Sequence, residues 1–159
     1  MKAAVLTVSD GVSEGTREDL SGDVLAELLE AEGYEVARRV VADDEDAISE
    51  AIIELAEDAR VVLTTGGTGV GPRDVTPEAT RAVLDRRAPG IAEAIRADAF
   101  QKTPHGLLSR GAAGIRGRTL IVNLPGSPGG CRDGFAVLQP ALGHALRLLA
   151  GEDTAHRQT

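Results

Sequence analysis

The densest chemistry in the chain lies between Val61 and Glu78, VVLTTGGTGVGPRDVTPE. Gly66, Gly67, Gly69 and Gly71 free the backbone for close approach, so its N–H groups can face an anion. Arg73 adds a cation and Asp74 a carboxylate. Thr76-Pro77 reads as a helix start, with a hydroxyl N-cap and Pro at the first helical position. Backbone donors, a cation, a carboxylate and a helix N-terminus in one short segment suit phosphate handling.

Two common nucleotide motifs fail here. A P-loop needs G-x-x-x-x-G-K-[ST], and Pro72-Arg73 follows Gly71 instead. A dinucleotide fingerprint needs a third glycine where Pro72 stands, and it belongs after a first strand. Other residue types offer less. Cys131 is the single cysteine, which excludes an internal disulfide and reads as a small packed residue. The three histidines, His105, His144 and His156, match no metal-ligand spacing.

The elements that must position this stretch alternate in type. Ala3 to Val8 is an apolar strand ending in a polar turn, Ser9-Asp10-Gly11, with Val12 to Arg17 read as loop. A helix follows from Asp19, with Leu20, Val24, Leu28 and Ala31 on one face and Gly33 as its stop. Tyr34 to Val41 is a second strand, then comes an acidic turn over 42–46. The next helix carries Ile48, Ile52, Leu55 and Ala59 on one face. After the Val61 strand, a helix from Thr76 runs to about Arg87, Pro89-Gly90 breaks it, and Ile91 to Ala99 resumes it. Gln101 to Gly106 reads as loop, and Ser109 to Gly117 as edge strand or loop. Thr119 to Leu124 is a strand. Pro125 to Gly130 is a second glycine- and proline-rich turn, opening a last helix that Pro140 should divide.

Such alternation predicts an α/β fold, a three-layer α/β/α arrangement with a mainly parallel sheet. Ligands then sit beyond the carboxyl ends of the strands. Four turns fall there: Ser9-Asp10, Asp43-Asp44, Thr64 to Asp74, and Pro125 to Gly130.

The chain has 159 residues, which predicts a single domain over 1–150 and a short polar tail over 151–159. Aromatics are 2%, which argues against binding bases by stacking. A net charge of −8 argues against a nucleic-acid partner. No apolar run is long enough to span a membrane, and no charged-then-apolar leader opens the chain, so a cytoplasmic protein is expected.

TTGGTGVGPRDVTPEAT at Thr64–Thr80, with LSRG at Leu108–Gly111, LIVNLPGSP at Leu120–Pro128 and LTVSDG at Leu6–Gly11, resembles the MogA/MoaB-type molybdenum-cofactor biosynthesis family. The resemblance covers nearly the whole chain. It implies a MogA-like molybdopterin-binding fold and a molybdopterin adenylyltransferase, which uses Mg-ATP to adenylate the terminal phosphate of molybdopterin and releases pyrophosphate. It also implies a homotrimer or dimer of trimers. The protein partners it implies are the upstream molybdopterin synthase and the downstream metal-insertion protein, for molybdenum or tungsten.

Residue roles follow from the same resemblance. Asp74 and Asp43 match its functional aspartates and would hold Mg²⁺ or orient the reacting phosphate. Helix capping is the plainer reading of each, since Asp43 and Asp46 resemble a capping pair. The family often has Pro before the second aspartate, whereas this chain has Ala42. Gly66, Gly67, Thr68 and Gly69 would wrap the pterin or its phosphate, with Thr65 donating a hydroxyl. Ser109 and Arg110 match a phosphate-contacting pair. Asn123, Pro125, Gly126 and Ser127 match a second ligand turn, although Ser127 is also a ready N-cap. Ser9 and Asp10 would contact nucleotide. Glu78 suits either binding or the helix dipole. Three rivals remain: a binding-only family member, a trimeric scaffold, and a nucleotide-binding signalling domain.

Overall fold

The computed structural model describes residues 1–152. Positions 153–159 of the expected tail lie outside the described residues. Six strands form one sheet: β1 (Lys2–Val8), β2 (Glu35–Val41), β3 (Val61–Thr65), β4 (Arg86–Arg87), β5 (Ala113–Arg116) and β6 (Thr119–Leu124). Their order is β2-β1-β3-β6-β5-β4. The first four of that order are parallel, β5 runs antiparallel to β6, and β4 is antiparallel to β5. The helices are α1 (Asp10–Glu14), α2 (Leu20–Ala31), α3 (Glu45–Ala56), α4 (Thr76–Arg81), α5 (Pro89–Lys102) and α6 (Pro128–Leu149).

Strand side chains alternate between two cores. Ala3 and Val5 of β1, with Leu63 and Val122, pack under α2, α5 and α6. Ala4, Leu6 and Val8, with Val62 and Ile121, pack under α3 and α4. Both faces are therefore covered, which is why β3 and β6 are buried along their whole length. The register then sets the site. Val8 pairs with Val41, Thr7 with Thr65, and Thr65 with Leu124. All four parallel strands end at one level, and the four expected ligand turns emerge along one edge.

Several local expectations fail for identifiable reasons. The Ser9 turn and the following loop include the short helix α1, because the Ser9 hydroxyl accepts the Val12 N–H at 3.2 Å as a side-chain cap. Leu20 does not join the buried face of α2. It is 53% exposed, and Leu25 and Leu29 take the core positions. The N-cap of α4 is Val75, not Thr76. The Thr76 hydroxyl is buried and donates to the Gly66 carbonyl instead, at 2.9 Å. Helix α4 stops at Arg81 rather than Arg87, because the next residues turn back to pair with β5, with Asp85 N–H donating to Ile115 O. Pro89 opens α5 as its first residue, and α5 runs on through Lys102. The end of α5 and a 3-10 turn, Pro104–Leu108, together replace most of the expected loop. The 109–117 segment contains β5, which β4 covers on its outer side. Pro140 does not divide α6, which is continuous over 22 residues.

Candidate active site

The glycine turn after β3 is held from three sides. Gly66 has φ 100° and Gly67 φ 69°, the left-handed region that favours glycine. A Cβ on Gly66 would stand 2.2 Å from the Val8 carbonyl oxygen, so the end of β1 leaves no room for one. The Thr65 hydroxyl donates to Pro125 O at 2.6 Å, which ties this turn to the one after β6. Asp74 closes the far end, its Oδ2 accepting the Gly71 N–H at 2.9 Å. Asp74 thus organises the turn and does not cap α4.

Arg110 fastens the turn from outside. Its Nε donates to Gly69 O at 2.7 Å, its Nη2 to Asp74 O at 2.6 Å, and both terminal nitrogens to the Glu78 carboxylate. This guanidinium keeps Glu78 below the usual carboxylate range. The Arg110 N–H also donates to Thr68 O at 2.8 Å. All the donor nitrogens of Arg110 are engaged within the chain.

Asp43 and Asp10 link the ends of β2 and β1 reciprocally. Asp10 N–H donates to Asp43 Oδ2 and Asp43 N–H to Asp10 Oδ1, each at 3.0 Å. Asp44, not Asp43 or Asp46, caps α3, accepting the Ala47 N–H at 2.9 Å. That frees the Asp43 carboxylate from capping, with its Oδ2 still accepting the Asp10 N–H. Arg73 pairs with Asp10 at 2.6 Å and donates to Asp43 O at 3.2 Å. The Asp10 carboxyl is consequently held low, by Arg73 first and the Asp43 N–H second. Asp43 goes the other way. Burial raises it, and the charges of Asp10 and Asp74 add to the rise.

These turns border a cleft of about 270 Å³. Of the sequence candidates, Ser9, Asp43, Thr65, Gly66, Gly67, Asp74 and Gly126 line it. Asp10 stands beside it, locked to Arg73. Thr68, Gly69, Glu78, Ser109 and Arg110 lie behind the turn and brace it. The Ser109 carbonyl accepts from Arg96 at 2.9 Å. Asn123 is buried, its amide donating to the Thr64 and Thr80 hydroxyls while its oxygen accepts the Ala112 N–H. Ser127 caps α6, and Pro125 O accepts from Thr65 and from Cys131. Cys131 itself is fully buried and its thiol is pushed up by that burial.

The sequence reading missed the opposite wall. Arg17, Asp19, Leu20 and Ser21 line the cleft from the start of α2. Asp19 accepts the Gly22 N–H at 3.0 Å and the Thr7 hydroxyl at 2.8 Å, and the Ser21 hydroxyl donates to Gly126 O at 2.8 Å. The signal was the run Asp19-Leu20-Ser21-Gly22. It reads as an ordinary helix start, and only the fold turns it toward the other turns.

A magnesium ion fits this donor set in one way. No group of three or more His, Cys, Asp or Glu side chains among the described residues forms a metal cage. Asp43 and Asp74 are hard oxygen donors on one cleft. Magnesium commonly binds one or two carboxylates and completes its shell with substrate phosphates and water.

Known proteins resemble this chain in sequence and fold. The family profile MoCF_biosynth, described as a probable molybdopterin binding domain, matches residues 4–144. A molybdopterin adenylyltransferase of Helicobacter pylori strain J99 is 39% identical over 152 residues, covering 92% of this chain and 86% of the relative. The molybdenum cofactor synthesis protein cinnamon of Drosophila melanogaster is also 39% identical, over 98% of this chain, which spans 26% of that longer protein. A solved structure of MogA superposes with a TM-score of 0.90 at 45% identity, covering 94% of this chain and 99% of that one. The chain belongs to the MogA/MoaB-type family of molybdenum-cofactor biosynthesis proteins.

Proposed function

We propose that this chain is a molybdopterin adenylyltransferase. A terminal phosphate oxygen of molybdopterin attacks the α-phosphorus of ATP, the bond to the β-phosphate breaks, and pyrophosphate leaves. The attacking phosphate is already ionised at neutral pH, so no general base is needed. Positioning and charge neutralisation do most of the work. The observation that carries this reading is the pair Asp43 and Asp74 on one cleft walled by glycine backbone.

Asp43 and Asp74 would hold the Mg²⁺ of Mg-ATP, which when bound supplies positive charge to the phosphate oxygens. Gly66 and Gly67, with Gly126 packed beside them, bring backbone within reach of a substrate phosphate or pterin. Ser9 and Thr65 add hydroxyls. We assign Thr68, Gly69, Glu78, Ser109, Arg110, Asn123, Pro125 and Ser127 to holding the two turns in shape, and Asp10 to holding Asp43. Residues 1–150 act as one ligand-binding unit. The protein works in the cytoplasm as a homotrimer or dimer of trimers, between the molybdopterin synthase and the metal-insertion protein. The absence among the described residues of any helix long and apolar enough to cross a membrane is compatible with that.

The test is purified protein with molybdopterin and Mg-ATP, watched for adenylated molybdopterin and pyrophosphate. Wild type should form both. Asp74→Asn should bind pterin almost normally and lose about a hundredfold or more in turnover. Pterin binding by wild type without any product would leave a binding-only member of the family.

A further inference from the structure

The cleft is short of positive charge. Glu18, Asp19, Asp43 and Asp74 line it, and Arg17 is the single basic residue among its lining residues. The cations that the sequence offers for anion handling are spent elsewhere, Arg73 on Asp10 and Arg110 on Glu78. Arg38, near Asp19, is spent on Asp19 and Asp23. The Arg17 side chain makes no hydrogen bond or ion pair among the described residues.

Arg17 is nevertheless seated. The loop between α1 and α2 folds back so that the Gly11 carbonyl accepts the Thr16 N–H at 2.9 Å, the Arg17 N–H at 3.2 Å and the Thr16 hydroxyl at 3.1 Å. The Arg17 stem then lies across Gly11. A Cβ at Gly11 would stand 2.6 Å from Arg17 Cδ and 2.9 Å from Cγ. Gly11 has no left-handed backbone, so its lack of a side chain serves this close approach and not a turn.

We propose that Arg17 binds a substrate phosphate in the cleft and that Gly11 positions it. The identity of the substrates rests on the adenylyltransferase reading. A guanidinium presents a planar fork of donors that matches phosphate oxygens, and an unpaired one spends nothing on breaking a prior ion pair. In a chain of net charge −8, a cation at the cleft wall also offsets repulsion of an anionic substrate. The phosphate belongs either to the nucleotide chain or to the pterin.

Calorimetric titration separates these sources. Wild type, Arg17→Ala, Arg17→Lys and Gly11→Ala are each titrated with magnesium α,β-methylene-ATP and, separately, with molybdopterin. Arg17→Ala should weaken one ligand by about tenfold to a hundredfold, the range of a charge-assisted hydrogen bond, and the ligand affected names the source. Arg17→Lys should recover part of that loss. Gly11→Ala keeps the arginine but lifts it, and should weaken the same ligand. Adding guanidinium at low millimolar concentration should partly restore Arg17→Ala. Binding of both ligands within twofold of wild type in Arg17→Ala would overturn the proposal. So would a loss on both ligands with a lowered Tm and no recovery by lysine. If wild type binds these ligands yet forms no adenylated product when given molybdopterin and Mg-ATP, the adenylyltransferase reading falls while the binding comparison still decides the role of Arg17.

Discussion

Asp43 is placed where ionisation costs free energy. Burial and the neighbouring Asp10 and Asp74 raise its carboxyl, against the help of one backbone N–H and Arg73. A raised acid stabilises the fold while protonated, and that contribution is lost as pH rises through its folded value. Asp43→Asn should therefore leave the ligand-free protein as stable as wild type or more so at pH 7, by up to about 0.5 kcal/mol after solvent screening. The difference should fade as pH falls and wild-type Asp43 takes up its proton. Denaturant titration at pH 7 and pH 4 checks this, and turnover should fall at the same time. Glu78 has the opposite sign. Arg110 holds it low, so its stabilising pair is present above the ordinary glutamate range and lost as pH falls through the lowered folded value. For the half-exposed pair, Glu78→Gln should cost about 1 kcal/mol or less at pH 7. That cost should shrink in acid, where wild type loses the same pair.

At the scale of elements, the decisive feature is how closely the turns meet. The Gly66 turn abuts the Val8 carbonyl, and the Thr65 hydroxyl, the Gly66 N–H and the Thr76 hydroxyl hold it to its neighbours. Gly66→Ala must push a methyl group into the backbone of β1 and also hold a left-handed φ. It should cost about 2–4 kcal/mol, read as a shift of the denaturant midpoint with an unchanged m-value. The same variant should lose ligand binding even under conditions where it remains folded. Gly66 and Thr65 together explain why the turn after β3 and the turn after β6 behave as one wall of the cleft.

For the whole molecule, the sheet order does the assembling. Strands β1, β2, β3 and β6 lie side by side and end level, although β6 is far from β3 in sequence. On the trimer reading, the particle should sediment at three times the 16.5 kDa chain mass, or twice that for a dimer of trimers. Analytical ultracentrifugation checks this, and a monomer at all concentrations would remove the trimer from the functional reading.

The fold class and the glycine-rich candidate stretch were legible because they depend on local signals. Buried strands read as apolar runs, helices as repeating faces, and the ligand turns as glycine-rich stretches after strands. Asp43 and Asp74 were legible through their resemblance to a family. Local chemistry misled where two neighbours compete for one role. Asp44 caps α3 although Asp43 and Asp46 look equally able, and Thr76 turns its hydroxyl to Gly66 O instead of capping α4. The exposure of Leu20, the unbroken α6 and the engagement of every Arg110 nitrogen were decided by packing. The tertiary structure alone brought the start of α2 across from the glycine turn. Side-chain contacts between segments tens of residues apart leave no trace in the spacing of either one, so Arg17 became visible as a cleft residue only once the chain was folded.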